Sequence, residues 1–318
     1  MHRYIARRLL QLIPTLFIAS VIIFAIIQLA PGDPALIMLG FEATPEQVQA
    51  ERVRLGLDKP IPVQYLVWLS DVARLNLGHS MINGRPVVTI LAEAFPNTLR
   101  LALTALVVSV LAGITLGSIA ALRQNSWLDS VITSVSSLGL SVPGFWLGIL
   151  MILLFSVRLR WLPPSGVGEP GRGFVFNLQY LIMPVLAIAF AQTAVFARYA
   201  RSALIDVIGM DYIRTARAKG LREGAVVRGH ALKNALIPVV TIIGIQAGRL
   251  LGGVVIIEAV FAYSGMGRLM VLSIMNRDAP VVQAALMLVV CIFLLTNLFV
   301  DLMYGYLDPR VRFGEEAR

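Results

Sequence analysis

The chain has 318 residues, of which 58% are apolar and only 14% charged, with a mean hydropathy of +0.80 and a formal net charge of +9. An ordinary soluble domain is about 45–50% apolar and about 25% charged, so this composition excludes both a soluble globule and a disordered chain. In a membrane protein the basic excess belongs on cytoplasmic loops, not on a nucleic-acid site; the single cysteine, Cys291, rules out an internal disulfide and a cysteine-rich metal site.

Arg3, Arg7 and Arg8 lead into the first apolar run, residues 9–30. That run is longer than the roughly 7–15 residues of a signal-peptide core. It ends in Ala30-Pro31-Gly32-Asp33-Pro34, not in a small-residue cleavage site, so it reads as a retained membrane anchor. Residues 31–97 then form an extracytoplasmic helical segment. Thr44-Pro45-Glu46-Gln47 predicts a helix start, with Thr as cap, Pro in the first position and Gln three residues on. That helix should end near Gly56, and Val63, Leu66, Val67 and Ala73 predict a second, amphipathic one. Phe95-Pro96-Asn97 predicts a break before the next span. The segment reads equally as a cap over the outer mouth and as a docking surface for an external donor protein.

Five more apolar runs follow, at 98–122, 129–157, 179–200, 236–260 and 281–304. Each is long enough to cross a hydrocarbon core of about 30 Å. None alternates as a barrel strand would, and in lipid every backbone polar group needs an internal partner, so all six runs are helices. The predicted fold is an all-α polytopic membrane protein with six transmembrane helices. Its parts are an N-terminal tail and first span (1–30), the extracytoplasmic segment (31–97), a five-helix core (98–304) and a tail (305–318). Trp161 reads as an interfacial anchor, followed by a Pro- and Gly-rich turn. Lys and Arg decide the orientation: the short loops on the side of the termini carry fifteen, with the residue at the edge of the fourth span counted, and the opposite short loops five. Both termini are therefore expected in the cytoplasm.

Catalytic chemistry is missing. None of the three lysines completes a phosphate-cradling G-K-[ST] sequence, and the three histidines form no H-E-x-x-H. There is no G-x-S-x-G elbow. Glu258 and Asp301 lie toward opposite faces of the membrane, a poor acid pair. The chain is expected not to be an enzyme and to need no cofactor or metal. Within the spans, Arg249 is the costliest residue, and an intramembrane charge carries a functional reading by default. Helical phase puts it opposite Glu258, nine residues on. With Gln246, Gln192 and Ser141 it is a candidate for the lining of a translocation path; for each, an interhelical hydrogen bond is the alternative.

The loop 201–235 is the most informative segment. Ile205, Ile208, Tyr212 and Ala216 alternate with charges at helical spacing, Lys219-Gly220 suits a helix-ending turn, and a second amphipathic piece runs from Leu221. Composition alone reads this as a basic helix on anionic membrane lipid. The sequence, however, resembles the signature loop of permeases in binding-protein-dependent ABC importers. Arg214-Thr215-Ala216 occupies the place of that family's EAA triplet, with Arg for Glu, and Gly220 that of its glycine. The proline of the general pattern falls on Lys233, with the next proline at Pro238. This departure is itself similar to the dipeptide, oligopeptide and nickel permeases, whose loop resembles DYIRTARAKG followed by HALKNALIP. Pro31-Gly32-Asp33-Pro34, the run Glu258-Ala259-Val260-Phe261 with Gly265, Gly267 and Leu269, and Asp308-Pro309-Arg310 extend the resemblance along the chain.

The resemblance implies a permease subunit in a bacterial or archaeal plasma membrane. It would form half of a heterodimeric pore for peptides or a related small solute. Its partners would be a second homologous permease, two cytoplasmic ABC ATPase subunits and an extracytoplasmic substrate-binding protein. Tyr212, Arg214, Thr215, Ala216, Ala218, Lys219, Gly220 and Leu221 would meet the ATPase. The alternative is a secondary carrier or channel without an ATPase, which calls for inverted repeats with broken helices. Pro143-Gly144 is one such break, and no counterpart stands in a second half.

Overall fold

The computed structural model describes residues 2–29, 32–40, 43–169 and 171–307. Ala30-Pro31, Asp308-Pro309-Arg310 and nearly all of the tail 305–318 lie outside the described residues. In chain order the helices are α1 (His2–Leu29), α2 (Pro34–Leu39), α3 (Pro45–Arg54), α4 (Ile61–Ala73), α5 (Val87–Leu122), α6 (Trp127–Ser141), α7 (Gly144–Met151), α8 (Gly173–Ile208), α9 (Asp211–Ala218), α10 (Glu223–Val226), α11 (Leu232–Val260), α12 (Met266–Met275) and α13 (Ala279–Leu307). Wider π-helical turns occupy Ile152–Arg158 and Val227–Ala231. Among the described residues there is no β-strand, only an isolated bridge between His79 and Pro86. Five helices are long and apolar enough to cross a membrane, and the pair formed by α6 and α7 with its π-helical extension makes a sixth span if counted as one.

The chain divides into two compact units, residues 1–98 with 264–295 and residues 99–263 with 296–318. In the first, α1 packs on α4 through Phe24, whose ring lies 5.5 Å from Tyr65 and 5.7 Å from Trp68, and through a 2.8 Å hydrogen bond between Ser20 and Tyr65. The expected capping box is present: Thr44 accepts from Gln47 N (3.4 Å), and Gln47 accepts from Thr44 N (2.9 Å). The buried Asp278 accepts from Ser80 Oγ and, at 3.1 Å, from Met81 N, tying the turn before α5 to the start of α13.

One expectation in this unit is overturned. Phe95-Pro96-Asn97 does not break the chain, because Pro96 lies inside the continuous α5. The helix begins at Val87, where Val87, Ile90, Leu91 and Ala94 at helical spacing bury one face against Met266, Val281, Ala284 and Ala285. Polar side chains just after Pro96 tie this part of α5 to the segment that starts at Ser264. Asn97 donates to Ser264 O (2.8 Å) and Glu93 O (3.5 Å), and Thr98 Oγ1 accepts from Met266 N (2.7 Å). The segment 263–280, between the fifth and sixth apolar runs, contains α12, which sends Met266, Gly267 and Ser273 inward.

In the second unit α8 is the hub, packed against α6, α7 and α11. Its 36 residues extend about 54 Å at 1.5 Å per residue, well beyond the hydrocarbon core. Lipid supplies no hydrophobic drive between helices, so close van der Waals packing must hold them. Gly113 and Gly117 of α5 allow it: a Cβ on Gly113 would come within 2.5 Å of Phe196 Cβ, and one on Gly117 would overlap Ala197 O. The apolar run expected over 129–157 is interrupted at Pro143-Gly144, the break noted in the sequence. It bends by 101° between Ser141 and Gly144, where Pro143 removes a backbone donor. A Cβ on Gly148 of α7 would come within 2.9 Å of the Phe261 ring, so α7 approaches this neighbour closely.

Candidate functional site

The loop 201–235 is more ordered than its expected helix, turn and helix. α8 runs eight residues into it, because Leu204 continues the buried stripe. α9 follows and is amphipathic. Ile213 and Ala216 face inward onto Ala121, Leu204, Val226, Ala231 and Ala235, while Tyr212, Arg214, Thr215 and Ala218 face outward. Ala216 thus anchors the helix from its inner face, whereas the other residues expected to meet the ATPase lie on its outer face or at its end. α9 ends where expected. Lys219 N donates to Thr215 O (3.0 Å), Gly220 N donates to Arg217 O (2.9 Å), and Gly220 takes φ +78°. Only glycine adopts this left-handed conformation without strain. Leu221 is exposed, and the next helix starts at Glu223, two residues later than expected.

Two contacts that the loop's composition did not reveal fix its shape. Arg217 reaches across the turn to Glu223 through Nε–Oε2 (3.0 Å) and Nη2–Oε1 (2.6 Å), and the hydrogen-bonded carboxylate raises the Arg217 pKa above its ordinary value. Tyr212 Oη accepts from Asn234 Nδ2 (3.0 Å), joining α9 to the base of α11. Behind the loop, Arg201 of α8 forms a two-pronged pair with the buried Asp129 of α6, both distances 2.7 Å. The one sequence clue to the Arg217–Glu223 pair is an acid six residues beyond a base across a Lys-Gly turn.

The candidate path residues separate. Gln192 and Arg249 line one cleft of about 210 Å³ between α7, α8 and α11, together with Phe145, Ile188, Leu250 and Ile256. Gln246 Nε2 donates to Gln192 Oε1 (2.8 Å). Ser141 is not among the lining residues: its hydroxyl donates to Ser137 O of its own helix (3.0 Å). Arg249 is exposed and Glu258 fully buried, as their opposite helical phase requires. Among the described residues no group of three His, Cys, Asp or Glu is placed to hold a metal ion.

The geometry can be set beside known proteins. Residues 113–313 match the family described as "binding-protein-dependent transport system inner membrane component", and residues 1–102 match the N-terminal component of such systems. The chain is 43% identical over 313 residues to the glutathione transport system permease protein GsiC of Escherichia coli K12, covering 98% of this chain and the whole of that one. It is 42% identical, with the same coverage, to GsiC of Shigella flexneri serotype 5b. Among solved structures, an inward-facing form of the MetNI methionine ABC transporter superposes with TM-score 0.59 at 19% identity, over 70% of this chain and 98% of that one. An amino acid ABC transporter crystallised with histidines gives 0.53 at 15%, over 69% and 94%. These two likenesses show the fold alone.

Proposed function

The chain belongs to the inner-membrane components of binding-protein-dependent transport systems and is the permease subunit of an ABC importer, not an enzyme; from this premise we propose how it works. It pairs with a second homologous permease to enclose the pathway, two ABC ATPase subunits bind from the cytoplasm, and a binding protein delivers solute from outside. The excess of Lys and Arg in the short loops on the side of the termini supports cytoplasmic termini. The bacterial relatives support the inner membrane.

One observation carries the coupling role. α9 presents Tyr212, Arg214, Thr215 and Ala218 outward, with Lys219, Gly220 and Leu221 at its exposed end, on a base fixed by Ile213 and Ala216. A short, rigidly backed helix of this kind suits a helix-in-groove contact. Docking alone moves nothing: ATP drives transport only if the ATPase contacts α9 differently in two states of the spans. The Asp129–Arg201 pair ties α8, just before α9, to the first half of the broken span, a route by which such a difference reaches the membrane. The glutathione permeases among the relatives point to a small peptide-like solute for this chain too. A carrier or channel without an ATPase has no feature here that the importer leaves unexplained.

The test is purification of the complex from its own gene cluster, followed by reconstitution. ATP-dependent uptake of glutathione supports the reading. Purification without an ATPase, or uptake indifferent to ATP, refutes it.

A further inference from the structure

We propose that the cleft between α7, α8 and α11 is a recognition subsite for a carboxylate of the transported solute, with Arg249 as its anion-binding residue. The inference rests on the importer reading and deepens it. Arg249 sits in a membrane-spanning helix, where a guanidinium is expensive unless something answers it, and no carboxylate among the described residues pairs with it. It faces a cleft of about 210 Å³, not a packed interface.

The polar side chains lining that cleft are rich in donors and carry no negative charge. Arg249 carries donors and no acceptor. Gln246 donates to Gln192 Oε1, which turns that carbonyl toward Gln246 and leaves the Gln192 N–H groups to donate. No acid lines the cleft, and Phe145, Ile188, Leu250 and Ile256 complete it with apolar surface. Such a wall disfavours cations and strengthens a charge-assisted hydrogen bond to an anion. The cleft is smaller than the roughly 300–1,000 Å³ of a whole small-molecule site, so it fits one end of a solute. A partner subunit's acid would need Arg249 alone; the spare room and the second donor favour a solute group.

The test uses the reconstituted complex with saturating loaded binding protein, so that delivery cancels between variants. The probes are glutathione and its diamide, in which both carboxylates are masked. The parent should take up glutathione faster than the diamide. Arg249→Gln should lower the glutathione-to-diamide ratio about ten-fold or more, as loss of a charge-assisted hydrogen bond implies, with assembly and ATPase co-purification retained. Arg249→Lys should fall between, since a point charge replaces a planar fork. If Arg249→Gln does not assemble, Gln192→Leu should shift the same ratio in the same direction by a few-fold. An unchanged ratio in the assembled variants overturns the subsite while leaving the importer standing. Equal loss for both probes, restored by neutralising an acid on the partner permease, assigns Arg249 to a subunit interface and also overturns it. Absence of ATP-dependent uptake of either probe by the parent rejects the peptide-importer reading itself.

Discussion

Asp129 and Arg201 lie 72 residues apart and meet through two parallel hydrogen bonds of 2.7 Å, Nε to Oδ1 and Nη2 to Oδ2. Asp129 also accepts from Asn125 N (3.1 Å) and Thr133 Oγ1 (3.3 Å), so its carboxylate is held from three sides. The pair locks α6 to α8 at the point where α8 leaves its apolar stretch and approaches α9. Asp129→Ala strands the guanidinium. Breaking a buried pair costs about 3–5 kcal/mol, and the part-exposure of Arg201, 29%, places this variant at or below the lower end. The melting temperature of the detergent-solubilised complex should fall. The double variant Asp129→Ala/Arg201→Leu should recover part of the loss, because no unpaired charge remains. Additive losses in that cycle would mean that the pair is not coupled.

Gly220 supplies a backbone test of the coupling helix. At φ +78° a residue with a Cβ is strained by about 1–2 kcal/mol, and nothing else lies within 4 Å of the position. Gly220→Val should insert normally in the membrane but lose ATP-coupled uptake. Gly220→Asn, which tolerates this conformation better, should retain most of it. Equal loss in both would point to side-chain bulk at the ATPase surface, not to the turn.

Gly117 tests the packing of α5 on α8. Gly117→Leu places its side chain where Ala197 O stands, and over-packing of this kind costs about 1–3 kcal/mol or more. Reduced expression and faster proteolysis of the complex are expected. Leu103→Ala, at an exposed position of the same helix, should behave like the parent in the same assays.

Orientation is tested by a membrane-impermeant thiol reagent on intact cells, in a Cys291→Ser background. Lys59→Cys should label without permeabilisation and Ala218→Cys only after it. The reverse pattern would invert the proposed topology.

Some of this protein is written locally. The capping box at Thr44 and Gln47 and the left-handed turn at Gly220 each lie within one helical turn of sequence, where residue type and backbone conformation are directly linked. The spans are legible for a similar reason: an uninterrupted apolar run in lipid has few structures other than a helix. α12 and the start of α5 carried a readable i, i+3, i+4, i+7 stripe, at Met266, Leu269, Met270 and Ser273 and at Val87, Ile90, Leu91 and Ala94. At the start of α5, the proline signal at Pro96 outweighed that stripe.

What the sequence by itself determined is therefore the membrane class, the places of the spans, though not the early start of α5, and the loop whose motif marks the family. Tertiary structure alone decided that Pro96 stays in a helix, that Ala216 faces inward, and that Gln192 meets Gln246 from 54 residues away. It also brought Asp129 to Arg201 and set Arg249 at the edge of a cleft that Ser141 does not share. The physical reason is common to all of these. A helix's own period says which residues share a face, but not which neighbouring helix covers that face. In lipid, where apolar surfaces gain nothing by finding one another, that choice rests on close packing and on a few polar pairs between distant segments.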